Sequence, residues 1–251
     1  MYEAYLFDLY GTLVDIKTEE ESLTLWRKMA LFYGYYGAAY EPNELKASYV
    51  QEVKAFFEEA ERIAKRDKPG EEHTPEIILE NVFSKLYVMK GIEASYQLAV
   101  HTGQFFRVLS IQYIKLYPGV VDLLTTLRKR GKMVYLVSNA QQIFTEYEMQ
   151  FLGIKEYFDG ILFSSDVGYL KPDSIIYERA IKDFGIHPEH AIMIGNDFQC
   201  DVLGAMNAGL SAFYVHTNLS PDMPEDLLGV PWMRGMNGNW LLEKLDHIQA
   251  D

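Results

Sequence analysis

The apolar positions of the chain change their spacing twice. Residues 4–8 form a short apolar run that ends in an acid and precedes a Gly-Thr turn, a pattern typical of a buried strand. From about Thr18 to Tyr113 the apolar positions recur at helical spacing. After Pro118, short apolar runs alternate with helical segments. The pattern therefore predicts an all-helical part that interrupts a part built from alternating strands and helices.

The helical part has the content of a small bundle. Thr18, followed three residues later by a glutamate, fits a capping box and predicts the start of the first helix. A second amphipathic helix is predicted to end near Pro69. Thr74 and Pro75 are suited to the N-cap and first position of a third helix, and a fourth follows around Leu98. We expect these helices to pack on one another.

The region after Pro118 predicts a parallel sheet, because its strands are continuous apolar runs of the kind that helices cover on both faces. The predicted strands are 133–137, 161–164, 191–194 and 212–215; the predicted helices are 120–129, 141–152, 174–184, 202–208 and 240–248, with a loop over 217–238. The fold class is α/β, a Rossmann-like parallel sheet with helices on both faces, plus a helical-bundle cap domain. We expect residues 1–15 and 114–251 to form the core and residues 16–113 the cap.

Composition restricts what such a protein binds. The 251 residues include 23 Lys and Arg and 36 Asp and Glu, a net charge of −13, which argues against a nucleic-acid partner. No apolar run reaches the ~20 residues of a membrane span, and the N-terminal residues show no signal-peptide pattern. Cys200 is the one cysteine, so we expect a reducing, cytoplasmic environment. Since the net charge repels a small anionic substrate, its site must be locally positive.

Polar residues, with one turn glycine among them, follow the first four of the five predicted core strands. They are Asp8, Gly11 and Thr12 after the first, Ser138 and Asn139 after the second, Lys171 after the third, and Asp197 and Asp201 after the fourth. The carboxyl ends of parallel strands meet at one edge of a sheet, where ligands bind. We therefore expect these side chains to form one site.

These residue types suit a particular chemistry. The Asp8 carboxylate is a nucleophile able to form a covalent ester with a phosphoryl or alkyl centre. Lys171 supplies the local positive charge that an anionic substrate requires. Asp8, Asp197 and Asp201 offer oxygen ligands to a hard cation such as Mg²⁺. For Asp201 the alternative is a role as N-cap of the helix that follows it.

Four segments resemble, in order and spacing, the motifs of the haloacid dehalogenase superfamily: FDLYGTLVD (7–15), LVSNA (136–140), GYLKPD (168–173) and IGNDFQCDVLGAMNAG (194–209). The resemblance implies that Asp8 forms an aspartyl intermediate with Lys171 as the second catalytic residue. It implies substrate contacts from Tyr10, Gly11, Thr12, Ser138 and Asn139. It also implies a Mg²⁺ site made by Asp8, the main-chain carbonyl of Tyr10, Asp197 and Asp201.

The chain departs from the phosphatase pattern of this superfamily at one motif and from the dehalogenase pattern at another, and the two departures favour different reactions. Tyr10 stands where phosphatases of this superfamily carry a second Asp as general acid and base, and the order Asp-x-Tyr-Gly-Thr is that of the 2-haloacid dehalogenases. In those enzymes halide leaves without a proton, and Arg27 resembles the cap arginine that receives it. Against this, the dehalogenases bind no metal, whereas Asp197 and Asp201 retain two acids of motif four beside Asn196.

The retained acids favour a Mg²⁺-dependent phosphatase that acts on a small phosphomonoester. Two alternatives stay open. One is a metal-independent 2-haloacid dehalogenase, and the other is a catalytically weak protein that binds a ligand or has a regulatory role.

Overall fold

The computed structural model describes residues 2–70 and 72–248. Glu71 of the predicted cap and residues 1 and 249–251 of the predicted core lie outside the described residues. Two compact units are present: a core unit of Met1–Ile16, Ile114–Ala140 and Glu148–Asp251, and a cap unit of Lys17–Tyr113 and Gln141–Tyr147. The predicted domain limits, which place all of residues 114–251 in the core, stay a prediction.

The strands and helices follow one another along the chain. The strands are β1 (Ala4–Phe7), β2 (Val14–Thr18), β3 (Ile111–Leu116), β4 (Met133–Ser138), β5 (Gly160–Phe163), β6 (Ala191–Gly195), β7 (Ser211–His216) and β8 (Trp232–Arg234). The helices are α1 (Leu23–Tyr35), α2 (Pro42–Asp67), α3 (Leu79–Val88), α4 (Tyr96–Ser110), α5 (Val120–Lys129), α6 (Gln142–Phe151), α7 (Ser164–Val167), α8 (Ser174–Phe184), α9 (Gly204–Asn207) and α10 (Gly238–Ile248). A π-helical segment, Phe198–Leu203, precedes α9.

The core unit is built on a parallel sheet of six strands in the order β5-β4-β1-β6-β7-β8. Leu6 of β1 lies opposite Tyr135 of β4 on one side and Met193 of β6 on the other. The chain extends the sheet outward from β1 through β4 and β5, then returns to the other side of β1 at β6. The topological switch point of the sheet is therefore at the carboxyl end of β1, where ligands bind in folds of this class.

Alternate residues of the strands enter two apolar layers. Phe7 and Ile194 pack in the layer that contains α5 and α10, whereas Leu6 and Met193 pack in the layer that contains α8. Because both faces are covered, each central strand is apolar throughout. The Rossmann-like α/β fold class predicted from the sequence is confirmed.

The cap unit contains α1 to α4, and its core is largely aromatic. Trp26, Tyr33, Phe83, Tyr87 and Phe106 are buried in one cluster. Trp26 packs on Phe106, and Tyr33 on Tyr87, in tilted ring pairs. Helix α2 ends at Asp67, close to the predicted limit. None of the described helices has the length and apolar character needed to cross a membrane.

Three predicted boundaries are wrong because long-range hydrogen bonds override the local pattern. Thr18 is the last residue of β2, which pairs with the unpredicted strand β3, and the first helix begins at Leu23. Thr74 and Pro75 precede α3 without starting it: the helix begins at Leu79, whose N–H donates to the Gln141 side chain. The predicted C-terminal loop contains β8, which extends the sheet beside β7.

Candidate active site

The predicted catalytic residues of the core meet at the carboxyl end of β1. The N–H of Asp8 donates to the carbonyl of Ile194 at 3.0 Å, so the chain leaves β1 still bonded to β6. A pocket of about 220 Å³ opens here, lined by Asp8, Tyr10, Ser138, Asn139, Lys171, Asn196, Asp197, Cys200, Asp201, Leu219 and Pro221. A larger groove of about 520 Å³ lies against β8 and α10, but none of the predicted site residues lines it.

A buried lysine joins two buried carboxylates at the base of this pocket. The Lys171 Nζ donates to Asp8 Oδ1 at 2.8 Å, to Asp201 Oδ1 at 2.6 Å and to the Val137 carbonyl at 2.8 Å. Lys171 and Asp201 are each only 2% exposed and Asp8 is 7% exposed. A lysine ammonium has three protons, so every donor of Lys171 is used. The two acids therefore share one fixed positive charge.

The loop after β4 positions this lysine through its backbone. The Asn139 side chain accepts a hydrogen bond from the Lys171 N–H at 2.7 Å and donates one to the Lys171 carbonyl at 3.0 Å. The neighbouring Ser138 hydroxyl donates to Asp8 Oδ1 at 2.9 Å. Two consecutive residues at the end of one strand thus orient both members of the Asp8–Lys171 pair.

Burial and charge act in opposite directions on the ionisable groups. Burial alone would lower the pKa of Lys171, but Asp201 and Asp8 outweigh it and hold that pKa above its usual range. Burial raises the pKa of Asp201 to about 6, against the opposing pull of Lys171. Burial also raises the pKa of the Cys200 thiol to about 12, which keeps the thiol protonated near neutral pH. The charge of Lys171 therefore opposes the effect of burial on the pKa of Asp201.

The turn after Asp8 requires glycine. Gly11 has a φ of +87°, and a Cβ placed on it would lie 2.3 Å from the Asn196 side-chain nitrogen. The adjacent Thr12 hydroxyl lies 3.1 Å from Asn196 Oδ1 and 3.4 Å from Asp8 Oδ2. Asn196, 5% exposed, was not among the predicted site residues, although its place in motif four marks it as a departure from the acidic pattern.

Replacing Gly11 with alanine is expected to lower kcat/KM at least ~10-fold, because an ångström-scale displacement of site groups has effects of this size or larger. Its matched control is Gly168→Ala: Gly168 has a similar φ of +80°, but no atom lies within 4 Å of the added Cβ. The control isolates backbone strain, worth about 1–3 kcal/mol. Steady-state kinetics and thermal unfolding of both variants check this, and equal kcat/KM values would contradict the contact with Asn196.

The predicted helix after β6 begins earlier than expected. It starts as the π-helical segment at Phe198, whose N-cap is Asp197: Asp197 Oδ1 accepts from the Cys200 N–H at 2.8 Å. The alternative role of Asp201 as N-cap is therefore wrong. Asp201 lies inside the segment, where Oδ1 accepts from Lys171 and Oδ2 accepts from the Asp197 N–H at 2.9 Å.

Tyr10 lies in the pocket wall with an unpredicted partner. Its hydroxyl donates to Glu148 Oε2 at 2.5 Å, and Glu148 is only 6% exposed. Glu148 belongs to α6, and no motif in the sequence distinguishes it from other polar positions of an amphipathic helix. Arg27, the predicted substrate-binding residue of the cap, is an exposed residue of α1 in the cap unit.

The donors present at the pocket are of the oxygen type that Mg²⁺ prefers. Among the described residues, no three His, Cys, Asp or Glu side chains are grouped so that they could hold a metal ion. Both oxygens of Asp201 accept hydrogen bonds, and Asp197 Oδ1 accepts one from the Cys200 N–H. Mg²⁺ is commonly held by one or two carboxylates together with waters and substrate oxygens. Asp8, Asp197 and the Tyr10 carbonyl make up a donor set of that kind.

Two curated phosphatases are similar to part of the chain. It is 36% identical over 104 residues to a glyceraldehyde 3-phosphate phosphatase of Methanothermobacter thermautotrophicus, covering 41% of this chain and 46% of the relative. It is 36% identical over 110 residues to a phosphoserine phosphatase of Thermus thermophilus, covering 44% of each. The matched segments thus span less than half of either relative.

The fold is shared with a 2-haloacid dehalogenase from Pseudomonas syringae pv. Tomato DC3000, at a TM-score of 0.66 and 18% identity over 99% of this chain and all of that one. A family model described as haloacid dehalogenase-like hydrolase matches residues 2–209. The chain therefore belongs to the haloacid dehalogenase-like hydrolase family.

Proposed function

We propose that this hydrolase is a Mg²⁺-dependent phosphatase that acts on small phosphomonoesters with Asp8 as its nucleophile. The observation that carries the proposal is the buried Asp8 carboxylate, held 2.8 Å from the Lys171 ammonium at the carboxyl end of the central strand. The phosphatase names of the two curated relatives support the same reaction class. The carboxylate of Asp197, which lines the pocket with Asp8, supports the requirement for a cation.

The reaction proceeds through two displacements at phosphorus. Ser138 and Lys171 both donate to Asp8 Oδ1, which leaves Oδ2 to bond to phosphorus as the bond from phosphorus to the leaving oxygen breaks. Lys171 stays charged throughout and compensates the negative charge that gathers around Asp8. Water then cleaves the aspartyl phosphate. Asp8, Asp197 and the Tyr10 carbonyl would hold Mg²⁺, which supplies positive charge between the anionic substrate and the carboxylates.

Asp201 has a positioning role beside its predicted metal contact, which stays a prediction. Both of its oxygens are occupied by Lys171 and by the Asp197 backbone, so it positions the lysine and the start of the π-helical segment. We propose that Gly11, Thr12, Ser138 and Asn139 hold the phosphoryl oxygens; of these, Ser138 and Asn139 line the pocket.

Removing Mg²⁺ is expected to abolish phosphate release from p-nitrophenyl phosphate, and adding it back is expected to restore activity. The measurement is the rate of phosphate release with Mg²⁺, with EDTA, and with EDTA followed by excess Mg²⁺. The matched control adds Ca²⁺ in place of Mg²⁺ after EDTA. Ca²⁺ is larger and accepts a more flexible arrangement of oxygen ligands. Full activity in EDTA would contradict the metal requirement.

Halide displacement is the alternative that Tyr10 favours, since halide needs no proton to leave. Chloride release from 2-chloropropionate in the presence of EDTA, without phosphate release from any phosphate ester, would replace the proposed function with this one. Turnover of neither substrate, combined with an increase in thermal stability on adding inorganic phosphate, would indicate a protein that binds a ligand without hydrolysing it.

A further inference from the structure

The proton supply of the pocket restricts which phosphates can be cleaved. When the bond from phosphorus to a leaving oxygen breaks, the electron pair stays on that oxygen. An alkoxide is a poor leaving group unless an acid protonates it, a contribution worth about 10²–10⁴-fold in rate. The substrate class therefore depends on whether a side chain in the pocket has a proton to donate.

Tyr10 has the phenolic proton nearest in sequence to the nucleophile, but that proton is already engaged. Its hydroxyl donates at 2.5 Å to Glu148, whose carboxylate is buried. A charge-assisted hydrogen bond from a hydroxyl to a carboxylate is among the stronger ones in proteins. Donating the proton to a leaving group would break this bond and leave two negative groups side by side, the phenolate and the carboxylate.

Three further polar groups that line the pocket also donate to other groups of the protein. Lys171 uses its three protons on Asp8, Asp201 and the Val137 carbonyl. The Ser138 hydroxyl donates to Asp8, and the Asn139 amide donates to the Lys171 carbonyl.

The acids of the pocket accept hydrogen bonds and donate none. Both oxygens of Asp201 and Oδ1 of Asp197 accept from N–H groups, and Asp8 Oδ1 accepts from Ser138 and Lys171. The phenol of Tyr10, the ammonium of Lys171 and the hydroxyl of Ser138 thus each donate to another group of the protein rather than to a leaving oxygen.

Resting on the proposed phosphatase function, we propose that the enzyme cleaves phosphates whose leaving group is stable as an anion, namely acyl and enol phosphates, in preference to alkyl phosphates. Asp8 bonds to phosphorus, the bond to the leaving oxygen breaks, and a carboxylate or enolate departs with the electron pair and without a proton. Water then bonds to phosphorus, the bond to Asp8 breaks, and dihydrogen phosphate leaves and releases a proton to solvent. In this respect the chain differs from its two curated relatives, which are named for alkyl phosphates.

The test compares kcat/KM for acetyl phosphate, p-nitrophenyl phosphate and glycerol phosphate with Mg²⁺ present, since kcat/KM reports the step in which the leaving group departs. We expect acetyl phosphate to exceed glycerol phosphate by at least ~10⁴-fold, the upper size of an acid's contribution. In Tyr10→Asp, which places a carboxyl group two residues after Asp8, this ratio is expected to fall by ~10²-fold or more.

A second variant, Tyr10→Phe, keeps the inference testable even where the Tyr10→Asp variant does not fold. Because the phenol proton takes no part, the ratio between acetyl phosphate and glycerol phosphate is expected to stay within about threefold of the parent value, whatever the absolute rates. A selective loss of glycerol phosphate cleavage in Tyr10→Phe would identify Tyr10 as the acid and overturn the inference. Equal kcat/KM for the three substrates would overturn it and leave the phosphatase function standing. Release of phosphate from none of them would overturn both.

Discussion

Asp8→Asn is expected to reduce phosphate release by at least ~10⁴-fold, the scale observed when an enzyme loses its nucleophile. The substitution keeps the shape of the side chain, and the amide oxygen still accepts hydrogen bonds from Ser138 and Lys171. The loss would therefore come from the missing nucleophilic oxygen rather than from a disturbed pocket. Thermal unfolding of the variant checks that the fold is retained.

The parent enzyme and Asp8→Asn are also expected to differ in whether a phosphoryl group becomes bound to the chain during turnover. Acid quenching during turnover of p-nitrophenyl phosphate, followed by mass spectrometry, is expected to detect one phosphoryl group on the parent chain and none on the variant. Asp122→Asn, at an exposed position of α5, is the matched control and should keep both activity and the phosphoryl group. Parent-like turnover by Asp8→Asn would exclude the aspartyl intermediate.

Lys171→Met is expected to lower the free energy of unfolding by about 3–5 kcal/mol, the range for removing one partner of a buried ion pair. Methionine nearly fills the volume of the lysine, so the loss comes from charge rather than from a cavity. Asp8 and Asp201 would then face each other in the core with no cation between them. Denaturant unfolding measures the loss, and Lys129→Met on the exposed side of α5 should change stability by less than ~0.5 kcal/mol.

The loss of stability in Lys171→Met is expected to depend on pH. Burial already raises the pKa of Asp201 to about 6, above the usual value for an aspartate. A carboxyl group with a raised pKa in the folded state binds more protons there than in the unfolded chain, so stability falls as pH rises. The destabilisation of Lys171→Met should therefore be largest above pH 6 and shrink toward pH 4. Asp201→Asn combined with Lys171→Met should restore part of the loss, and additive losses would contradict the coupling.

The elements that carry the site follow from the local pattern, because each central strand is a continuous apolar run ended by polar residues. Asp8, Ser138 and Asn196 mark those ends, and parallel pairing brings them together whatever the cap does. Strands β2 and β3 escaped prediction because their exposed polar positions interrupt the continuous apolar run that marks the central strands.

The details of the site depend on contacts that a sequence pattern does not specify. Asp197 and Asp201 are equivalent as carboxylates in the sequence, yet one caps the π-helical segment and the other binds Lys171. Glu148 is one of several polar residues on an amphipathic helix, and only the fold places it against the Tyr10 hydroxyl. Residue type predicts the chemistry available, whereas the assignment of each oxygen requires the three-dimensional structure.

The long sequence separations within the site affect how the protein acquires activity during synthesis. Asp8 accepts hydrogen bonds from Ser138 and Lys171, which lie 130 and 163 residues away in the sequence. The Thr12 hydroxyl is hydrogen-bonded to Asn196, 184 residues away. Asp8, the proposed nucleophile, therefore emerges from the ribosome long before the groups that hydrogen-bond to it. Contacts this distant in sequence form late and slowly in folding. A nascent chain that ends before motif four is expected to be inert, and the onset of phosphate release would report completion of the core.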